Sequence, residues 1–334
     1  MKRVLLALVA LGGCSQPQPE LYVFNWADYF APDTIANFEK EFGCKVKVDD
    51  ITSSEALRAK MQLVPSGYDV VFVNDELMPT FVSSGWLEKL DPAKLPNLKN
   101  VAPKFRGLAF DPKNEYSVPY MWGTTGIAYN REKVSPAPDS WAALWDPKLS
   151  SRTTMLGDPR EAFAAAIWVE GGSPLQLTLE SIEKAAKKLM ERKPLAYNSA
   201  PKEMLGSGDA WLSQCFNGDA VQAADKASIG YVIPKEGGTL WLDNLTIARG
   251  ARNPGLARQF IDYILRPDVS AAISNAVFYA NPNAEAEALI SKEVRENPLV
   301  YPSEADLKRC SFLVEPSPEV KKKLQDLWAK VRAQ

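Results

Sequence analysis

An alternation in the first third of the chain constrains the fold more than any other feature. Leu21 to Asn25 is an apolar run with strand character, and Pro32 to Phe42 carries Ile35, Phe38 and Phe42 at helical spacing before Gly43. Lys45 to Val48 then alternates as a strand does. Ser53, Ser54 and Glu55 open a second helix that runs to about Leu63, Pro65-Ser66-Gly67 breaks it, and Tyr68 to Val73 reads as a buried strand. Strand, helix, strand, helix, strand predicts an α/β fold, with a mostly parallel sheet and helices on its faces. The same alternation resumes after Trp141. Helices are expected from about Asp158 to Glu170 and Leu179 to Arg192, and strands near Leu195 and from about Trp211 to Cys215. A chain of 334 residues has room for two such units, and the lack of a long hydrophilic linker predicts two lobes packed around a cleft. Ser317 to Ala333 reads as a basic amphipathic helix packed on a lobe, with Val320, Leu324, Leu327, Trp328 and Val331 on one side.

The first residues are a short basic start, Lys2 and Arg3, an apolar run from Val4 to Leu11, and Gly12-Gly13-Cys14. That run is too brief to span a bilayer as a helix, and the pattern resembles a bacterial lipoprotein signal peptide over 1–13. Cleavage before Cys14 would leave that cysteine as the lipid anchor. The polar, Pro-rich stretch that follows predicts a disordered tether over 14–20. The expected location is therefore the periplasm or the outer face of the cytoplasmic membrane. Cys44, Cys215 and Cys310 remain, in a compartment where disulfides persist, and the position of the last two in the later half favours a Cys215–Cys310 bond. The spacing offers no metal site.

The chain contains no histidine, which removes the Ser-His-Asp and Cys-His nucleophilic arrangements and the histidine-based zinc and iron motifs. A formal net charge of −2 gives no footprint for nucleic acid. Nine tryptophans are the complementary feature, since indole grips a ligand without doing chemistry on it.

Ligands of open α/β sheets bind beyond the carboxyl ends of the strands, which singles out 26–29, 74–76, 158–161, 216–219 and 241–243 as loops after strands. Aromatic and acidic residues stand side by side there: Trp26 with Asp28 and Tyr29, Asp158 with Glu161, Phe216 with Asp219, and Trp241 with Asp243. An alkylammonium ligand needs both, a carboxylate for its charge and an aromatic wall for its methylenes. The only basic residue in these clusters is Arg160, so an anionic ligand is poorly served. Any single tryptophan is still more ordinarily core, and Asp158-Pro159 also reads as a helix start. Paired carboxylates beside tryptophan also describe a glycoside hydrolase, the enzyme class that remains as a rival.

At these residues the chain resembles the bacterial spermidine/putrescine-binding proteins of ABC transporters. The matching stretches are Asn25-Trp26-Ala27-Asp28-Tyr29, Val118 to Thr124, Ile233 to Gly238 with Trp241 and Asp243, Leu265 to Val269, and Phe278 to Asn281. The resemblance implies a two-lobed periplasmic binding protein fold, each lobe a discontinuous sheet flanked by helices, with the ligand cleft between lobes. One lobe would take 21–125 plus 246–290 and the other 126–245 plus 291–334. It further implies that Trp26, Tyr29, Trp241 and Tyr279 wall the ligand, that Asp28, Glu161, Asp219 and Asp243 hold its amines, and that Asp158 supports them. Asn74 and Phe216 stand at ligand positions where other members carry hydroxyl and indole groups. Glu76 either enters the cleft and binds an extra amine or points out as a solvated acid. The implied protein is a monomeric receptor without cofactor or catalytic activity, whose partners are a polyamine and an ABC permease. A receptor for another cationic solute and a polyamine sensor are the nearer alternatives.

Overall fold

The first strand, β1 (Glu20–Trp26), pairs in parallel with β2 (Lys45–Ile51) on one side and β3 (Val70–Asn74) on the other. The computed structural model describes residues 18–191, 193–198 and 201–333, so the expected signal peptide, Cys14 and Arg192 lie outside the described residues. Glu20 already pairs with Lys45, so the strand begins inside the stretch expected as tether. Between the strands run α1 (Thr34–Phe42) and α2 (Ser54–Leu63). Gly43 ends α1 in a left-handed conformation, φ 63°, where a side chain would be strained, and the Ser53 hydroxyl caps α2 by accepting from the Ala56 amide. After α3 (Met78–Ser83) the chain winds through short turns to β4 (Val118–Asn130).

The second unit runs β5 (Thr153–Leu156), α4 (Pro159–Val169), α5 (Leu179–Met190), β6 (Ala196–Asn198), α6 (Pro201–Ser207), β7 (Leu212–Phe216), α7 (Asn217–Ala224) and β8 (Ile229–Val232). β9 (Gly238–Ile247) then leads to α8 (Pro254–Ile264) and α9 (Pro267–Val277). Short helices α10 (Lys292–Arg295) and α11 (Glu304–Leu307), strand β10 (Cys310–Phe312) and α12 (Pro318–Arg332) complete the chain.

The strand order is β2-β1-β3-β9-β4-β7-β5-β6, with β10 on β9 and β8 on β4. The outer pairs are parallel as expected, but β9 runs antiparallel to both β3 and β4, and β4 antiparallel to β7 and β8. The sheet is mixed because β4 and β9 carry the chain out to the second lobe and back. Each belongs to both lobes: 243–247 of β9 pair with β3 while 238–240 pair with β10, and 118–125 of β4 pair with β9 while 125–129 pair with β7.

The cores follow this division. Phe38, Phe72, Phe81 and Phe260 pack in the first, and Trp141, Phe163, Leu189 and Leu324 in the second, with a smaller cluster around Leu205 and Tyr231. Val294 and Val300 join the first core, although residues after Ile290 were expected in the second lobe. α12 lies on the second lobe, where Val320, Leu324, Leu327 and Val331 are buried.

The expected Cys215–Cys310 bond is corrected, because both thiols are free and buried. Cys310 lies beside Gly238 on β9 and Cys215 beside Gly126 on β4, with β9 and β4 between them in the sheet. Three strand spacings put the cysteines roughly 14 Å apart, about twice the reach of a disulfide. The Tyr231 ring fills the space that glycine leaves, since a methyl on Gly126 would meet its hydroxyl at 2.8 Å.

Candidate functional site

Trp241 and Asp243 lie within β9 rather than in a loop after a strand, and with Thr239 they share one face by the two-residue period. Asp243 stands opposite Asn74 on β3 and Met121 on β4. Its carboxylate accepts from Trp26 Nε1 at 3.1 Å and from the Tyr29 hydroxyl at 2.9 Å. Burial pushes its pKa up to about 7, against those two hydrogen bonds, which lower it. Among the described residues no lysine or arginine forms an ion pair with it.

An aromatic wall continues from this carboxylate across the seam. Tyr29 meets Tyr279 edge-on at 5.7 Å, Tyr279 meets Trp241 at 5.1 Å, and Trp241 meets Phe216 at 5.8 Å. The rings approach so closely because glycines face them. A methyl on Gly123 would come to 2.3 Å from the Trp241 ring, and one on Gly218 to 2.5 Å from the Tyr279 ring. The Tyr279 hydroxyl crosses to the second lobe and donates to Asp219 at 2.9 Å. Burial raises the Asp219 pKa to about 6, with that bond and Lys202 opposing the shift.

The expected residues divide into four groups. Trp26, Tyr29, Phe216, Asp219, Trp241, Asp243 and Tyr279 come together along this seam. Asp158 and Glu161 stand behind it. Asp158 caps α4, accepting from the amides of Arg160 and Glu161. Glu161 is buried between the crossing strands, accepting from Thr125 at 3.0 Å and Thr239 at 2.8 Å, and burial with the neighbouring Asp158 raises its pKa to about 8. Asn74 gives its amide to Ser54 at 3.2 Å, while its buried carbonyl oxygen has no partner among the described residues. Asp28, by contrast, is turned outward on a left-handed residue, φ 54°, with its side chain 74% exposed.

Glu76 faces the seam between the lobes and lies 3.8 Å from Arg160, which is 7% exposed and also 3.7 Å from Glu315. Arg160 donates to the Val314 carbonyl as well, so its charge is matched inside the protein. Three residues along the seam escaped the sequence reading. Asp75 is buried, accepts from the Leu242 amide at 2.9 Å, and has its pKa raised to about 7 by burial. Its loop was singled out, but which of its members faces β9 depends on where β3 ends. Glu315 and Lys202 reach the seam from distant segments and carry no local signal. Among the described residues no acidic, histidine or cysteine group could hold a metal ion.

Such a seam offers carboxylates to a cation and aromatic faces to a hydrocarbon body. A model of the family described as bacterial extracellular solute-binding protein matches residues 33–302. The chain belongs to that family. Its members are binding proteins, and this chain is a binding protein rather than an enzyme. Relatives include the putrescine-binding periplasmic protein PotF of Escherichia coli, 36% identical over 98% of this chain and 95% of that one. The spermidine/putrescine-binding periplasmic protein of the same organism is 35% identical over 86% of this chain and 84% of its own length. Among solved structures, a putative spermidine/putrescine ABC transporter protein from Listeria monocytogenes superposes with a TM-score of 0.89 at 31% identity, covering 94% and 98% of the two chains. The family fold is two-lobed, in agreement with the two cores and the crossing strands.

Proposed function

We propose that this protein is a receptor that captures a polyamine of the putrescine/spermidine class between its lobes and delivers it to an ABC permease for import. The observation that carries the reading is Asp243: a buried carboxylate, hydrogen-bonded by Trp26 and Tyr29, paired with no protein cation among the described residues, and flanked by aromatic rings. An ammonium supplies the missing charge, and the rings take the methylenes. The names of the relatives agree in ligand class. In this reading Trp26, Tyr29, Phe216, Trp241 and Tyr279 wall the ligand, and Asp219 and Asp243 hold its amines. Asp158 and Glu161 set the field behind them. Closure is favoured because the ligand touches both lobes and so binds the closed form better than the open one.

A thermal-shift panel of diamines and polyamines of graded length tests this, because a ligand bound only by the folded state raises its melting temperature. A rise confined to amines of matching length is expected, and a flat response would remove the reading.

The protein works in the periplasm as a monomer in this proposal, held to the membrane through lipid on Cys14. Replacing Cys14 with alanine should move the protein from the membrane fraction to the soluble one. No helix among the described residues is long and apolar enough to cross a membrane.

A further inference from the structure

Lys202 enters the seam from α6 in the second lobe and reaches the loop after β1 in the first. Its ammonium lies 3.0 Å from Asp28 Oδ2 and 3.2 Å from Gln222 Oε1. Asp219 and Glu203 add their fields, and Asp219 is in turn bonded to Tyr279, whose ring touches Trp241. Burial works to lower the Lys202 pKa, but these carboxylates outweigh it and the shift is upward, so the side chain is charged near neutral pH. A protein ammonium therefore already stands where the proposed ligand ends. It satisfies Asp28 and leaves Asp219 as the inward-facing carboxylate at this end of the seam.

The opposite end is built differently. Asp75, Glu76, Asp158, Glu161 and Glu315 gather there around Arg160. Carboxylates outnumber cations at both ends: Lys202 stands among Asp28, Asp219 and Glu203, and Arg160 with Lys321 among the five acids at the other.

We propose that Lys202 is a specificity-determining residue, which limits the Asp28–Asp219 end of the cleft to a single ligand ammonium. The physical reason is repulsion: a second ligand ammonium beyond Asp219 would meet the Lys202 charge at close range, in a partly solvated setting where the repulsion is moderate. The inference rests on the polyamine reading and deepens it.

The test is calorimetric titration of putrescine and spermine into the unaltered protein, Lys202→Met, Lys202→Gln and Lys202→Arg. Removing the charge should shift the spermine-to-putrescine affinity ratio by about tenfold in favour of spermine. Lys202→Arg, which keeps the charge, should hold the ratio within about threefold. A uniform change for both amines would mean that Lys202 only ties the lobes together, and would overturn the proposal. So would an unchanged ratio in both charge-removing variants. If the unaltered protein binds neither amine, the receptor reading itself fails, a result seen before any variant is compared. Thermal unfolding of each variant checks that it is folded, and the presence of two charge-removing variants protects against the loss of one.

Discussion

Asp243 combines burial with two neutral hydrogen-bond donors and no cation, so its charge is costly until a ligand arrives. Asp243→Asn keeps the shape and removes the charge, and should weaken polyamine binding by roughly a hundredfold while leaving the melting temperature nearly unchanged. Unchanged affinity by calorimetry would sink the assignment. The raised carboxyls also predict a pH dependence. Free aspartate and glutamate titrate near pH 4, whereas Asp243 and Asp75 are raised to about 7 and Glu161 to about 8. The folded protein thus holds protons that the unfolded chain has lost, and the stability these groups contribute is complete below about pH 4 and declines as pH rises to about 8. Without amine, the melting temperature should fall between pH 5 and pH 8. A bound polyamine replaces those protons, so it should raise the melting temperature more at pH 8 than at pH 5. Equal increments at the two pH values would contradict this. Residue types at the seam were legible in the sequence because aromatic and acidic neighbours recur at strand ends. Lys202 was not, since its contact with Asp28 joins residues 174 positions apart and no periodicity encodes it.

At the level of elements, α1, α2, α4 and α5 stand where periodicity and caps predict them, to within a residue or two at their ends. β4 and β9 were harder to see. Both are buried on both faces through much of their length, so neither shows the alternation that marks a half-buried strand, and β9 was read as a loop at Trp241. Their close approach depends on small residues. Gly123→Ala would drive a methyl into the Trp241 ring and the Asn217 amide oxygen, and should cost about 1–3 kcal/mol, seen as a lower denaturant midpoint. Gly255→Ala, in α8 with nothing near the added methyl, is the control and should be neutral or slightly stabilising. Equal effects at the two sites would refute the packing argument.

For the whole molecule, the division into two lobes was legible from the repeated alternation, while the manner of joining them was not. The joint is a hydrogen-bonded ribbon of β4 and β9, a product of long-range pairing that local sequence does not display. The C-terminal helix matters at this scale as well. Truncation after Ser317 would expose the surface covered by Val320, Leu324, Leu327 and Val331, each worth about 1.5–3 kcal/mol when fully buried, so the shortened protein should fail to fold its second lobe. Near-native melting of that truncation would show that α12 is dispensable. The ribbon also has an optical consequence. Trp241 lies within it and Trp26 donates to Asp243 beside it, whereas Trp141 and Trp168 are stacked 5.6 Å apart on the second core. Two indoles therefore sit where filling the seam changes their surroundings, and others are shielded from that event. Tryptophan emission would then consist of a responsive part over a steady background, and a titration could be followed by the ratio of the two without an added dye.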